Sequence, residues 1–99
     1  MDTQAEILNF LHLHKQFLKE NFQLSKIALF GSFARGDASK DSDIDILIEL
    51  KKDAKNIYDL KSELKEYLSK HFDRKVDIAR EKYLKPYAKD IILKDALYV

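Results

Sequence analysis

Asp43 and Asp45 stand two residues apart in the segment SDIDILIEL, and on an extended strand two such side chains project from the same face. Like charges held that close repel, and on a covered strand each also loses hydration. A divalent cation relieves both penalties, and hard carboxylate oxygens suit Mg2+ or Mn2+. Asp77, in the segment KVDIA, is the candidate third acid, because a parallel strand beside the first can turn it to the same side. Three converging carboxylates are enough to hold two metals about 3.5–4 Å apart. Upstream, the apolar run KIALF ends at Gly31-Ser32, with ten residues between Ser32 and Asp43. Glycine lets backbone amides come close to a phosphate, serine adds a hydroxyl donor, and a short helix starting there would turn its free N–H groups to the anion. Arg35 is a candidate for a further charge-assisted contact. A phosphate cradle beside a metal cluster is what nucleotidyl transfer from a nucleoside triphosphate requires.

The elements that must place these residues follow from periodicity. Residues 2–21 read as an amphipathic helix, with Thr3 and Glu6 at capping-box spacing and Ile7, Leu8, Leu11 and Leu18 near the helical period. Residues 26–30 read as a short buried strand. Residues 31–42 are loop, with room for one helical turn at 32–35, and they contain both glycines of the chain. Residues 43–50 form the second strand: Ile44, Ile46, Ile48 and Leu50 line one face and Asp43, Asp45, Leu47 and Glu49 the other, the pattern of a central, covered strand. Ile57, Leu60, Leu64, Tyr67 and Leu68 step at helical spacing, which predicts a helix over 54–69. Residues 75–79 are a third strand. Pro86 suits the first turn of a last helix over 86–98, with Ile91, Ile92, Ala96 and Leu97 inward. The order is α-β-β-α-β-α: an α/β (α+β) fold with a small, mixed, three-stranded sheet and helices packed on it. The first two strands are expected antiparallel, the second and third parallel.

Ninety-nine residues suit one domain over 1–99. Eighteen basic residues against seventeen acids give a net charge of +1, so no basic surface argues for direct nucleic-acid binding. There is no cysteine, which excludes a disulfide framework and a thiolate metal site. The acidic, polar start is unlike a signal peptide, and no apolar run approaches the roughly 18 residues of a membrane span. A cytoplasmic domain without membrane attachment is the expectation.

Gly31-Ser32, ten intervening residues, then Asp43-x-Asp45 resembles the signature of the nucleotidyltransferases of the DNA polymerase beta superfamily. The fuller string, G-S-x-x-R-G with Ser42-Asp43-Ile44-Asp45, resembles the minimal nucleotidyltransferase (MNT) group, whose members are often antitoxins paired with a HEPN-domain RNase toxin. The resemblance extends over nearly the whole chain and implies the nucleotidyltransferase fold. It implies that Gly31 and Ser32 bind the triphosphate of ATP, that Asp43 and Asp45 hold Mg2+, and that Asp77 is the third acid. It also implies that the acceptor is the cognate HEPN toxin itself, with AMP placed on a tyrosine hydroxyl, since the additional domain with which larger superfamily members hold an acceptor is not seen here.

Two alternatives stand beside this: an antitoxin that acts by binding alone, and a transferase for small molecules or RNA. Several residues have plainer readings. His12 and His14 point to different sides of a helix and cannot form an i, i+4 metal pair. Asp37 and Asp41 are solvated loop acids, Gly36 a turn residue, Glu49 structural or surface, and His71 a surface residue. Tyr83, Tyr87 and Tyr98 are candidates for an interface.

Overall fold

The structure is a computed structural model and describes residues 2–99. Thr3 opens the first helix as its cap: Oγ1 accepts from the Glu6 N–H at 3.1 Å and donates to Glu6 Oε1 at 3.1 Å. The single helix expected over 2–21 is two, α1 (Gln4–Leu13) and α2 (Lys15–Asn21). They meet at His14, whose backbone (φ −105°, ψ 10°) leaves the helical region. The His14 ring stacks on Phe10 at 4.1 Å and its Nδ1 donates to the Phe10 carbonyl at 2.9 Å, so the side chain holds the break in place.

Strand β1 (Leu24–Phe30) runs directly into α3 (Gly31–Arg35), and β2 (Ile44–Leu50) follows the loop. Helix α4 (Ile57–Phe72) starts three residues later than periodicity suggested, because Asn56 sits in the left-handed region (φ 57°) after a turn closed from Ala54 N–H to the Lys51 carbonyl. Its extension to Phe72 places that ring in the core. Strand β3 (Val76–Arg80) leads through a 3₁₀ turn (Glu81–Tyr83) to α5 (Pro86–Asp95), with Pro86 in the first turn.

The sheet has four strands, not three, in the order β3-β2-β1-β4. The last helix ends at Asp95, and β4 (Leu97–Tyr98) pairs antiparallel with β1, Tyr98 opposite Ala28 and Leu97 opposite Leu29. The run Leu97-Tyr98-Val99 suits an extended edge, and Val99 N–H closes it on the Ile27 carbonyl at 3.1 Å. The burial expected of α5 is corrected accordingly. Leu97 reaches the core from a strand, while Ile91 is exposed. β1 and β2 are antiparallel and β2 and β3 parallel, as expected.

One face of the sheet is the core. Ile27, Leu29, Ile44, Ile46, Ile48 and Val76 are buried there, with Ile7, Phe10 and Leu11 of α1, Leu18 of α2 and Leu64, Leu68 and Phe72 of α4 in the same cluster. The register places Phe30, Asp45, Leu47, Glu49 and Asp77 on the opposite face. Along β2 only Asp45 and Glu49 keep partial solvent access. Among the described residues no helix is long and apolar enough to cross a membrane.

Candidate active site

Where β1 ends, its last residue Phe30 is paired with Asp45 of β2, so the next residue, Gly31, lies against the Asp45 side chain. Glycine is required there twice. Its φ of +74° is in the left-handed region, and a Cβ would lie 3.0 Å from Asp45 Cγ and collide with the carboxylate. Helix α3 then turns away, its Phe33 and Ala34 buried and its Ala34 carbonyl accepting from Gln4 Nε2 at 2.7 Å. No side chain caps the start of this turn, and the Ser32 hydroxyl makes no hydrogen bond among the described residues. Gly36 (φ +81°) ends α3 as a left-handed cap, the turn role read from sequence.

Asp45 and Asp77 are direct partners across the parallel β2–β3 pair, and Asp43 lies two residues before Asp45. The parallel register thus brings the third acid to the other two. Asp45 feels them. Its carboxyl is pushed up from 3.8 to about 6, chiefly by burial, then by the negative charges of Asp77 and Asp43, while Arg35 pulls the other way. Its carboxylate makes no hydrogen bond among the described residues. Among the described residues Asp43 has one cation nearby, Lys75 Nζ at 3.7 Å.

Arg35 faces two acids outside this cluster, Asp37 at 3.2 Å and Asp95 of α5 at 3.8 Å, while its charge still reaches Asp45. Among the described residues no three His, Cys, Asp or Glu side chains are, as they stand, grouped so as to hold a metal ion. The three aspartates present a donor set made only of carboxylate oxygens, in part buried and mutually repelling. That set fits a hard divalent cation.

One structural device was not legible in the sequence as part of the site. Arg74, in the turn before β3, donates from Nη1 to the Lys40 carbonyl at 2.8 Å and the Ser42 carbonyl at 2.9 Å. Its Nη2 bonds Asp2 at 2.7 Å, and its guanidinium lies over the Phe33 ring at 5.1 Å. One arginine thereby fixes the loop that delivers Asp43 and ties it to α3. Its only sequence signal is its place immediately before the strand that faces Asp43. Glu49, read as structural or surface, anchors the 3₁₀ turn. Burial pushes its carboxyl up, but the Leu50 N–H at 3.0 Å, Arg80 at 3.1 Å and the Lys82 N–H at 2.9 Å together hold it below its ordinary value. His71 is exposed, as read from sequence, and its ring lies 4.4 Å from the Tyr67 ring and 5.2 Å from Phe10.

Residues 11–99 match the family described as a nucleotidyltransferase domain. The protein adenylyltransferase MntA of Thermococcus cleftensis is 35% identical over 99 residues, covering 100% of this chain and 98% of that protein. A solved structure provisionally identified as a minimal nucleotidyltransferase superposes with a TM-score of 0.76 at 28% identity, covering 93% of this chain and 92% of the other. A crystal structure of a toxin–antitoxin with AMP-PNP has the same fold, with a TM-score of 0.67 at 22% identity over 99% of this chain and 72% of that one.

Proposed function

The chain belongs to the nucleotidyltransferase domain family, and from that premise we propose that it is an antitoxin that transfers AMP from ATP to a tyrosine hydroxyl of a cognate HEPN-domain RNase toxin and so neutralises it. The observation that carries this reading is the register itself: Gly31, at the end of β1, abuts Asp45, and Asp45 is paired with Asp77. A phosphate-binding turn and three acids then share one end of the sheet. The relative named a protein adenylyltransferase and the toxin–antitoxin with AMP-PNP supply the acceptor class and the nucleotide.

In this reading residues 1–99 act as one domain in the cytoplasm. The Gly31 and Ser32 turn seats the triphosphate through backbone N–H groups and the free Ser32 hydroxyl. Arg35 exchanges its carboxylate partners for phosphate oxygens. Asp43, Asp45 and Asp77 hold Mg2+, two ions, with Mn2+ able to substitute. When bound, these cations neutralise phosphate charge and polarise the acceptor hydroxyl. The tyrosine oxygen bonds to the α-phosphorus as that phosphorus separates from its bridging oxygen. Pyrophosphate leaves, and the hydroxyl proton passes to a carboxylate oxygen of Asp77, the acid on the exposed edge strand.

The test is incubation with the cognate toxin, Mg2+ and α-labelled ATP. Label should appear on the toxin and be absent with Asp43→Asn or Asp45→Asn. Unlabelled toxin in the presence of metal, or labelling by the double variant, contradicts the assignment. Neutralisation of the toxin in cells by the Asn variants would favour binding without catalysis.

A further inference from the structure

The sheet ends at β3. No other described strand pairs with its outer edge, so the five residues Val76–Arg80 present a row of backbone donors and acceptors on the side away from β2. A groove of about 340 Å³ opens along that edge, lined by Asp77 and Ile78 of β3 and by Tyr58, Lys61, Ser62 and Lys65 of α4. Asp77 and Ile78 are consecutive and point to opposite faces of the sheet, so a groove that touches both wraps around the strand's free edge. The four α4 residues are spaced i, i+3, i+4 and i+7 and form one stripe of the helix. Lys61 and Lys65 make no ion pair among the described residues. Tyr58 is 85% exposed at one end. In a chain of net charge +1, this groove carries two unpaired cations against a single acid, and that acid is Asp77.

We propose that the β3 edge and the Lys61/Lys65 groove are the acceptor's docking site, and that they take an extended peptide whose hydroxyl residue is flanked by acidic side chains. The peptide adds to β3 as a further strand through main-chain hydrogen bonds, and its carboxylates meet Lys61 and Lys65. Its hydroxyl is delivered at Asp77. The proposal rests on the function proposed above only for the place the hydroxyl must reach; the edge, the lysines and the groove stand without it. A peptide fits better than a nucleic-acid strand, because the free edge offers amide and carbonyl partners in peptide register and the groove holds no arginine.

The test uses the full chain with AMP-PNP and Mg2+ and fluorescein-labelled tyrosine peptides flanked by Glu, by Gln or by Lys, read by anisotropy. The Glu-flanked peptide should bind about tenfold more tightly than the Lys-flanked one, as two exposed charge pairs allow. Lys61→Glu/Lys65→Glu should reverse that order, and Lys65→Gln should weaken it without reversal. N-methylation of alternate amides in the Glu-flanked peptide should abolish binding. Equal binding of all three peptides, indifference to the lysine variants or indifference to N-methylation overturns the proposal. So does tighter, lysine-dependent binding of an RNA oligonucleotide, or a lysine variant that changes only self-association. Lysine-dependent peptide binding with no label transferred from ATP supports the docking site and removes the transfer reaction instead.

Discussion

Replacing Asp45 with Asn should make the protein more stable at neutral pH while ending its activity. The Asp45 carboxyl is pushed from 3.8 to about 6 by burial and by Asp77 and Asp43. Taken whole, a rise of about two pH units corresponds to ~3 kcal/mol against the ionised form. The side chain keeps partial solvent access, and screening reduces the figure to about 1–1.5 kcal/mol. The sign follows from proton binding. Between about pH 4 and 6 the folded protein holds a proton that the unfolded chain has lost, so stability falls as pH rises through that window and the whole penalty stands above it. Asn keeps the shape, carries no charge and forfeits no hydrogen bond of Asp45. In EDTA at pH 7.5, Asp45→Asn should therefore unfold later in urea by about 1–1.5 kcal/mol, and its melting temperature should rise by roughly 4–8 °C per kcal/mol for a domain of this size. Near pH 4 the two proteins should converge. A variant less stable than the parent at pH 7.5, or a gap that does not change with pH, refutes the reasoning.

Mg2+ should stabilise the parent by RT ln(1 + [Mg2+]/Kd), about 1.4 kcal/mol at a tenfold excess over Kd, and the gain in melting temperature should vanish in the Asp43→Asn/Asp45→Asn double variant. Gly31→Ala should lose nucleotidyl transfer and about 1–3 kcal/mol of stability, from the left-handed backbone and the collision with Asp45, measured by label transfer and urea unfolding. Glu49→Gln should cost roughly 1–2 kcal/mol at pH 7. Because the folded Glu49 carboxyl is held below its ordinary value, its contribution is present above that value and lost on acidification, so the parent's unfolding curve should show an acid limb that Glu49→Gln flattens. Arg74→Ala removes hydrogen bonds to Lys40, Ser42 and Asp2. It should lower transfer more than stability, with faster amide exchange confined to residues 39–43.

The grouping of the candidate site's residues was legible because their spacing is local. Asp43 and Asp45 share a face wherever residues 43–50 are extended, and Gly31-Ser32 follows an apolar run too short for anything but a strand. Asp77 could be placed from a parallel β-α-β unit, whose register then set it opposite Asp45. Most of what escaped depends on partners distant in sequence. Arg74 is an ordinary turn arginine until residues 2, 40 and 42 are brought to it. The break at His14 is local, its ring stacked on Phe10 one turn back, but the apolar spacing runs through it unchanged and so predicts one helix. Strand β4 is two residues long, and Ile91, Ile92, Ala96 and Leu97 fit a helix by spacing equally well. Only the open flank of β1 decides that Leu97 and Tyr98 extend.

The most direct measurement is a crystal structure of the protein grown with AMP-PNP and Mn2+, collected at the manganese edge. Anomalous peaks should lie among the carboxylates of Asp43, Asp45 and Asp77, with the triphosphate on the Gly31-Ser32 turn and its α-phosphorus toward Asp77. Manganese absent from the three aspartates, or a triphosphate lodged away from that turn, would contradict the central claim.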